Sequence, residues 1–191
     1  KKELYSKAIR SLFVEHNVYD ALNILSTFTT ESSKFYVRVC KNIMESLRNE
    51  IAGLSVEEML SKRELDSVFD YACQKERSSE NLSTFRNVKT FKAAFKSGDV
   101  GLQKSMVLAI QAELNNINIT ENLKKVLIVE LQKPHETWTE GMLEPLEAEL
   151  FVLLTDTFKR MKNTDEFKRN YCKHRELNSE LLEEMLLSTN M

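Results

Sequence analysis

The sequence predicts an all-α fold, and three observations carry that expectation. Apolar residues recur at i, i+3, i+4 and i+7 along most of the chain, which is the period of one helical face and not of a strand. Glycine and proline number only 4 and 2 in 191 residues, so tight hairpins have little to turn on. Helix formers such as Leu, Glu, Lys and Ala are abundant, and no useful length of sequence alternates with period two. Helices joined by short connections bury their apolar faces against one another, so the expected architecture is a bundle. No repeat of solenoid length and no low-complexity segment interrupts it.

The elements follow in order. Tyr5, Ala8, Ile9, Leu12 and Phe13 share a first helical face, and Val18, Ala21, Leu22 and Leu25 a second, shorter one. Thr29-Thr30-Glu31-Ser32-Ser33 offers N-caps to a long helix with Tyr36, Val39, Cys40, Ile43, Met44 and Leu47 on one side. Gly53 closes that helix and is the expected boundary of an N-terminal extension, 1–53. Leu54 to Leu60 forms a short helix. Ser61-Lys62-Arg63-Glu64 has the form of a capping box, opening a helix that turns Leu65, Val68, Phe69 and Ala72 inward.

Ser78 is placed to cap the next helix, with Glu80 in the first turn where a negative charge suits the helix dipole. This helix runs through Val88, Phe91, Ala94 and Phe95 to Ser97-Gly98-Asp99. Leu102, Met106, Ala109, Ile110 and Leu114 mark another. Residues 115–120 form a loop, and Thr120 caps the helix of Leu123, Val126, Leu127 and Leu131, which Lys133-Pro134 stops. A second capping box, Thr137-Trp138-Thr139-Glu140, starts a long helix with Leu143, Leu146, Leu150, Leu153, Leu154, Phe158 and Met161 inward. Asn163-Thr164 caps a last core helix through Phe167 and Tyr171, and Ser179 to Leu187 forms a peripheral helix in a tail, 177–191.

Composition narrows the function. The chain is long enough for a sizeable core, as one large domain or one domain with an extension. A net charge of −2 gives no electrostatic reason to expect a nucleic acid partner. Cys40, Cys73 and Cys172 are odd in number and far apart, which suits reduced thiols in a cytoplasmic setting better than a disulfide framework. No apolar run approaches the ~20 residues that span a bilayer. The first residue is Lys1, so a fragment of a longer protein is expected.

Most enzyme motifs are missing from the sequence. There is no G-x-G-x-x-G, no phosphate-binding loop and no G-x-S-x-G elbow. Cys172-Lys173-His174 is the nearest approach to a metal pair, but no second pair accompanies it, so no metal and no cofactor are expected. Glu57-Glu58 and Glu183-Glu184 are adjacent carboxylates that point about 100° apart on a helix, which suits a solvated face and not a shared site.

Four stretches carry a resemblance. Ser78-Ser79-Glu80-Asn81-Leu82-Ser83-Thr84-Phe85 is similar to the S-E-E-N-φ-x-F-W signature of the regulator of G-protein signalling (RGS) box, with Phe85 where that family usually has tryptophan. Leu54 to Phe69 resembles its opening, and Ile117-Asn118-Ile119 its V-N-L loop. Met161-x-x-x-Asp165-Glu166-Phe167-Lys168-Arg169 resembles its closing L-M-x-x-D-S-Y-x-R-F segment. In order, these cover 54–176, with extra N-terminal helices before them. Two departures stand out: Glu166 replaces the usual serine, and the connection 133–141 is longer.

The resemblance implies a GTPase activator for a heterotrimeric G-protein α subunit in its GTP or transition-state form. Such a protein has no catalytic residue of its own. It holds the partner's switch segments in their transition-state shape. The implied contacts are Glu80, Asn81, Asn118, Met161, Asp165, Glu166 and Arg169. Asn118 would be central: an amide has both donor and acceptor, so it can reach between the switches. Asp165 and Arg169 lie four apart and are placed to pair with each other. The location implied is cytoplasmic, at the inner face of the plasma membrane when the partner is bound. Glu166 and the long connection favour an alternative, an RGS-homology scaffold that binds without accelerating hydrolysis. A third reading is a plain helical interaction domain.

Overall fold

The computed structural model describes residues 18–27 and 34–174, and the backbone alone at 35, 36, 64 and 174. The expected helix at residues 5–13, the caps at 29–33 and the tail helix at 179–187 lie outside the described residues. Among those described, every regular element is helical. They are α1 (Val18–Ser26), α2 (Lys34–Gly53), α3 (Val56–Ser61), α4 (Asp66–Lys75), α5 (Ser79–Ser97), α6 (Val100–Glu113), α7 (Glu121–Leu131), α8 (Glu144–Met161) and α9 (Asp165–His174). Short 3₁₀ turns stand at Arg63–Leu65, His135–Thr137 and Glu140–Leu143.

The chain forms two compact units: Lys1–Val68 with Met161–Met191, and Phe69–Arg160. Gly53 ends α2 as expected but does not separate the units. The reason is packing. The first unit buries Tyr19, Ala21, Leu22 and Leu25 of α1, Cys40, Met44 and Leu47 of α2, and Cys172 of α9 in one cluster. Residues 18–53 are therefore built into the same core as the last helix. The Tyr171 hydroxyl also donates to Glu50 at 2.7 Å.

The second unit is a bundle of α4 to α8. Phe69 meets Phe158 edge-on, with ring centroids 6.0 Å apart. Phe91, Ile110, Leu127, Leu143, Leu146, Leu150 and Leu154 are also fully buried in this unit. Trp138 packs its ring against Phe91 from the 133–141 connection.

Several local expectations change. The capping box forms six residues earlier, at Ser55: its hydroxyl accepts from Glu58 N–H at 3.2 Å, and the Glu58 carboxylate accepts from Ser55 N–H at 3.1 Å. Ser61-Lys62-Arg63-Glu64 instead spans the end of α3 and a 3₁₀ turn. Thr137-Trp138-Thr139-Glu140 is likewise no box. Two 3₁₀ turns fill that stretch, and α8 begins at Glu144, with Pro145 in the first turn where a missing N–H costs nothing. On α6 Ile110 is buried as expected, as is Leu114 just past its end, but nearer its start Gln103 and Val107 are buried and not the expected Leu102 and Met106. Gln103 makes this possible, because its side chain donates to Ala94 C=O at 3.2 Å and pairs with His135 at 2.9 Å.

Two helix ends share one device. After α5, Gly98 takes φ 74°, Asp99 N–H reaches Ala94 C=O and Gly98 N–H reaches Phe95 C=O. After α4, Arg77 takes φ 53° in the same role, with Ser78 N–H to Cys73 C=O and Arg77 N–H to Gln74 C=O. A left-handed arginine is strained where glycine is not.

Candidate functional site

In the second unit, the loop between α6 and α7 fixes Asn118. Ile117 and Ile119 are 1% and 5% exposed, so both flanks are held in the core and Asn118 is left facing out. The loop is tied at both ends. Asn116 N–H donates to Glu113 C=O at 2.8 Å, and Thr120 N–H donates to the Glu149 carboxylate of α8 at 2.6 Å. Thr120 occupies the N-cap position of α7 but makes no side-chain cap bond; its hydroxyl goes to Glu149 at 3.3 Å instead.

At the start of α5, Glu80 is half-buried and Asn81 is buried. Ser78 does not cap. It is a core residue whose hydroxyl meets Cys73 C=O at 3.4 Å and the Thr157 hydroxyl at 3.3 Å. One turn on, Asn81 Oδ1 and Thr84 Oγ1 are buried without a hydrogen-bond partner. Each such group costs on the order of 1–3 kcal/mol. On α5 itself, Lys89 and Lys92 both engage Glu147 of α8, the latter at 2.6 Å. Burial pushes the Glu147 carboxyl up, but the two ammonium groups outweigh it and hold the pKa below the ordinary value.

In the first unit, Met161 is buried and Asp165, Glu166 and Arg169 lie on the opening turns of α9. Thr164 caps that helix, accepting from Phe167 N–H at 3.2 Å. The expected Asp165–Arg169 pair is not the one formed. Arg169 Nε donates to both Asp20 oxygens of α1, at 3.0 and 2.9 Å. Asp165 accepts from Lys168 at 3.2 Å and from the Tyr19 hydroxyl at 3.2 Å. Lys168 first, then Tyr19, hold its carboxyl below the ordinary value. Burial raises the Tyr19 hydroxyl, against the pull of Lys168. Asp20 raises the Arg169 guanidinium.

The structure therefore brings Asp165 and Arg169 onto one helix end but gives each a partner from α1. Glu80, Asn118, Asp165, Glu166 and Arg169 reach the surface to some degree, whereas Asn81 and Met161 are enclosed. Sequence reasoning missed Tyr19 and Asp20. Their only signal is an aromatic–acid pair on a helix that had been counted as an extension.

The three thiols are buried, and burial pushes Cys40 and Cys172 up to about 11 and Cys73 to about 12, so none is a thiolate near neutrality. Among the described residues no cluster of His, Cys, Asp and Glu could hold a metal ion, and no helix is long and apolar enough to cross a membrane. No protein-family model, no curated protein and no solved structure matches the chain.

Proposed function

We propose that this protein is a GTPase-activating regulator of a heterotrimeric G-protein α subunit. The observation that carries the reading is Asn118: an exposed amide on a short loop, with both neighbours buried and both loop ends tied. A group that must fix another protein's catalytic residues has to be rigid before it binds, because ordering it later would cost affinity. The order and spacing of the RGS-like segments support the same reading.

The α subunit carries its own arginine and a glutamine that orients water, yet hydrolyses GTP only at about 10⁻² per second. The regulator supplies no base. Asn118 would bridge the switch segments through its carbonyl and amide, with Glu80 in the first turn of α5 and Asp165 at the start of α9 receiving backbone N–H groups. Stabilising the switches only in their transition-state shape lowers the barrier by differential binding.

A second reading has its own observation. Arg169 is committed to Asp20, and Asp165 already accepts two donors. A domain so arranged suits binding without acceleration. Single-turnover GTP hydrolysis by a panel of α subunits, with and without the chain and its Asn118→Ala variant, tests both. Acceleration lost in the variant supports the activator. Binding to a transition-state-mimic complex with no acceleration supports the scaffold, and no binding to any α subunit removes both.

A further inference from the structure

The start of α9 rests on α1. Tyr19 is 4% exposed, and with Ala21, Leu22 and Leu25 it joins the core cluster that also holds Cys172 of α9. Phe167 and Tyr171 are buried along α9, and Thr164 caps its first turn. The backbone that carries Asp165 and the ring that reaches it are both anchored by burial.

Three side chains close a triangle there. The Tyr19 hydroxyl donates to Asp165 Oδ1 at 3.2 Å, and Lys168 Nζ donates to the same oxygen at 3.2 Å. Lys168 Nζ also stands over the face of the Tyr19 ring, 5.8 Å from its centroid. The Lys168 side chain is only 19% exposed, whereas that of Asp165 is 62% exposed. Two donors that converge on one oxygen fix the rotation of the carboxylate more firmly than one would. An ionised carboxylate accepts about four donors, two at each oxygen. Among the described residues no donor reaches Asp165 Oδ2. The group is therefore held by one oxygen and open at the other.

Arg169, the residue that spacing would set beside Asp165, is turned to another acid. Its Nε donates to both Asp20 oxygens, at 3.0 and 2.9 Å. Two neighbouring residues of α1 make both changes: Asp20 draws Arg169 away, and Tyr19 takes its place beside Asp165.

We propose that Tyr19 of α1 is a positioning residue for the G-protein contact: with Lys168 it holds Asp165 by Oδ1, so that Oδ2 is presented to a backbone N–H of the α subunit. The proposal rests on the reading of the chain as a G-protein regulator. It adds α1, which lies outside the RGS-like segments, to the contact site. A carboxylate that is already oriented loses less freedom when the partner arrives, and that saving appears as affinity.

The test is a double-mutant cycle read as binding. The full chain and its variants are titrated against a panel of α subunits loaded with GDP and aluminium fluoride, which mimics the transition state. Tyr19→Phe keeps the buried ring and removes only the hydroxyl. It should weaken binding about three- to tenfold, the value of one side chain held in place. Asp165→Ala should weaken binding about tenfold or more, because it removes a charged acceptor. In the Asp165→Ala background, Tyr19→Phe should change binding by less than about 1.5-fold, since nothing is left to position. Lys168→Met, which removes the other donor, should follow the same pattern and gives a second, independent cycle. A circular-dichroism melt confirms that each variant folds. A purely structural role for Tyr19 would weaken binding equally in both backgrounds, and that result overturns the proposal. Undiminished binding by Tyr19→Phe overturns it too, and leaves the regulator reading intact. No binding of the parent chain to any α subunit removes the reading and the proposal together.

Discussion

The loop around Asn118 and the start of α9 are both candidate contact regions, and they reach the surface in opposite ways. In the loop, one exposed polar residue stands between two buried isoleucines, and its amide has no hydrogen-bond partner among the described residues. On α9, Asp165 and Arg169 are presented by a helix but already held by Tyr19, Lys168 and Asp20. The loop is fixed by burial of its flanks, the helix end by polar pairs of its own. Burial of an isoleucine is worth several kcal/mol, whereas a partly exposed ion pair is worth about 1 kcal/mol or less. The first region is rigid and open, the second adaptable and occupied.

The largest effect tests the rigidity of the loop. Ile117 is almost fully enclosed, so Ile117→Ala should cost about 2–4 kcal/mol in a urea melt. A loss under about 1 kcal/mol would mean that the isoleucine does not anchor the loop. Asn118→Ala should leave stability within about 0.5 kcal/mol, because the side chain is exposed. If the chain is the proposed GTPase activator, the same variant should reduce stimulated GTP hydrolysis by about ten- to a hundredfold, the value of one or two transition-state hydrogen bonds. A variant that activates as well as the parent chain would move the centre of the site away from this loop.

The same contrast explains what the sequence could and could not disclose. The burial of Ile117 and Ile119 that leaves Asn118 facing out comes from packing, whereas helical period is a local fact, so the all-helical bundle was legible. The faces of α1, α2, α5 and α8 were legible for the same reason. Partner choice was not. Arg169 has two acids within reach in principle, Asp165 by sequence spacing and Asp20 by packing, and spacing alone favours the wrong one. Capping motifs failed similarly: Ser55 and Ser61 both precede a Glu by three residues, and only the backbone decides which serine stands before a helix. On α6 Ile110 and Leu114 are inward as expected, but nearer the start Gln103 and Val107 take the places of Leu102 and Met106, because Ala94 C=O and His135 satisfy the glutamine in the core.

A double-mutant cycle sharpens the account of α9. Arg169→Ala coupled with Asp20→Ala should return a small but resolvable coupling, since the two bonds are short but the side chains are 42% and 27% exposed. Arg169→Ala coupled with Asp165→Ala should return close to zero. The reverse result would restore the pair that sequence spacing suggests. The strained cap gives a separate check of comparable size: Arg77→Gly should stabilise the chain by up to about 1 kcal/mol, unless the arginine side chain contributes more than its backbone costs.

The smallest effect concerns the Asp165 carboxyl and pH. Lys168 and Tyr19 hold its pKa below the ordinary 3.8, so the ionised form is favoured in the folded chain. A carboxylate depressed in this way stabilises above its unfolded pKa, and the contribution is lost as pH falls through the lowered folded value. Asp165→Asn should therefore differ from the parent chain by a constant amount, about 0.5 kcal/mol or less, between roughly pH 5 and 7. The difference should shrink below about pH 3.9 and vanish once both states are protonated. Tyr19→Phe should remove part of that difference and not its pH midpoint in the unfolded chain. A difference that persists undiminished in acid would assign the role of Asp165 to helix-start geometry and not to charge, and the occupied region would then be held by packing alone.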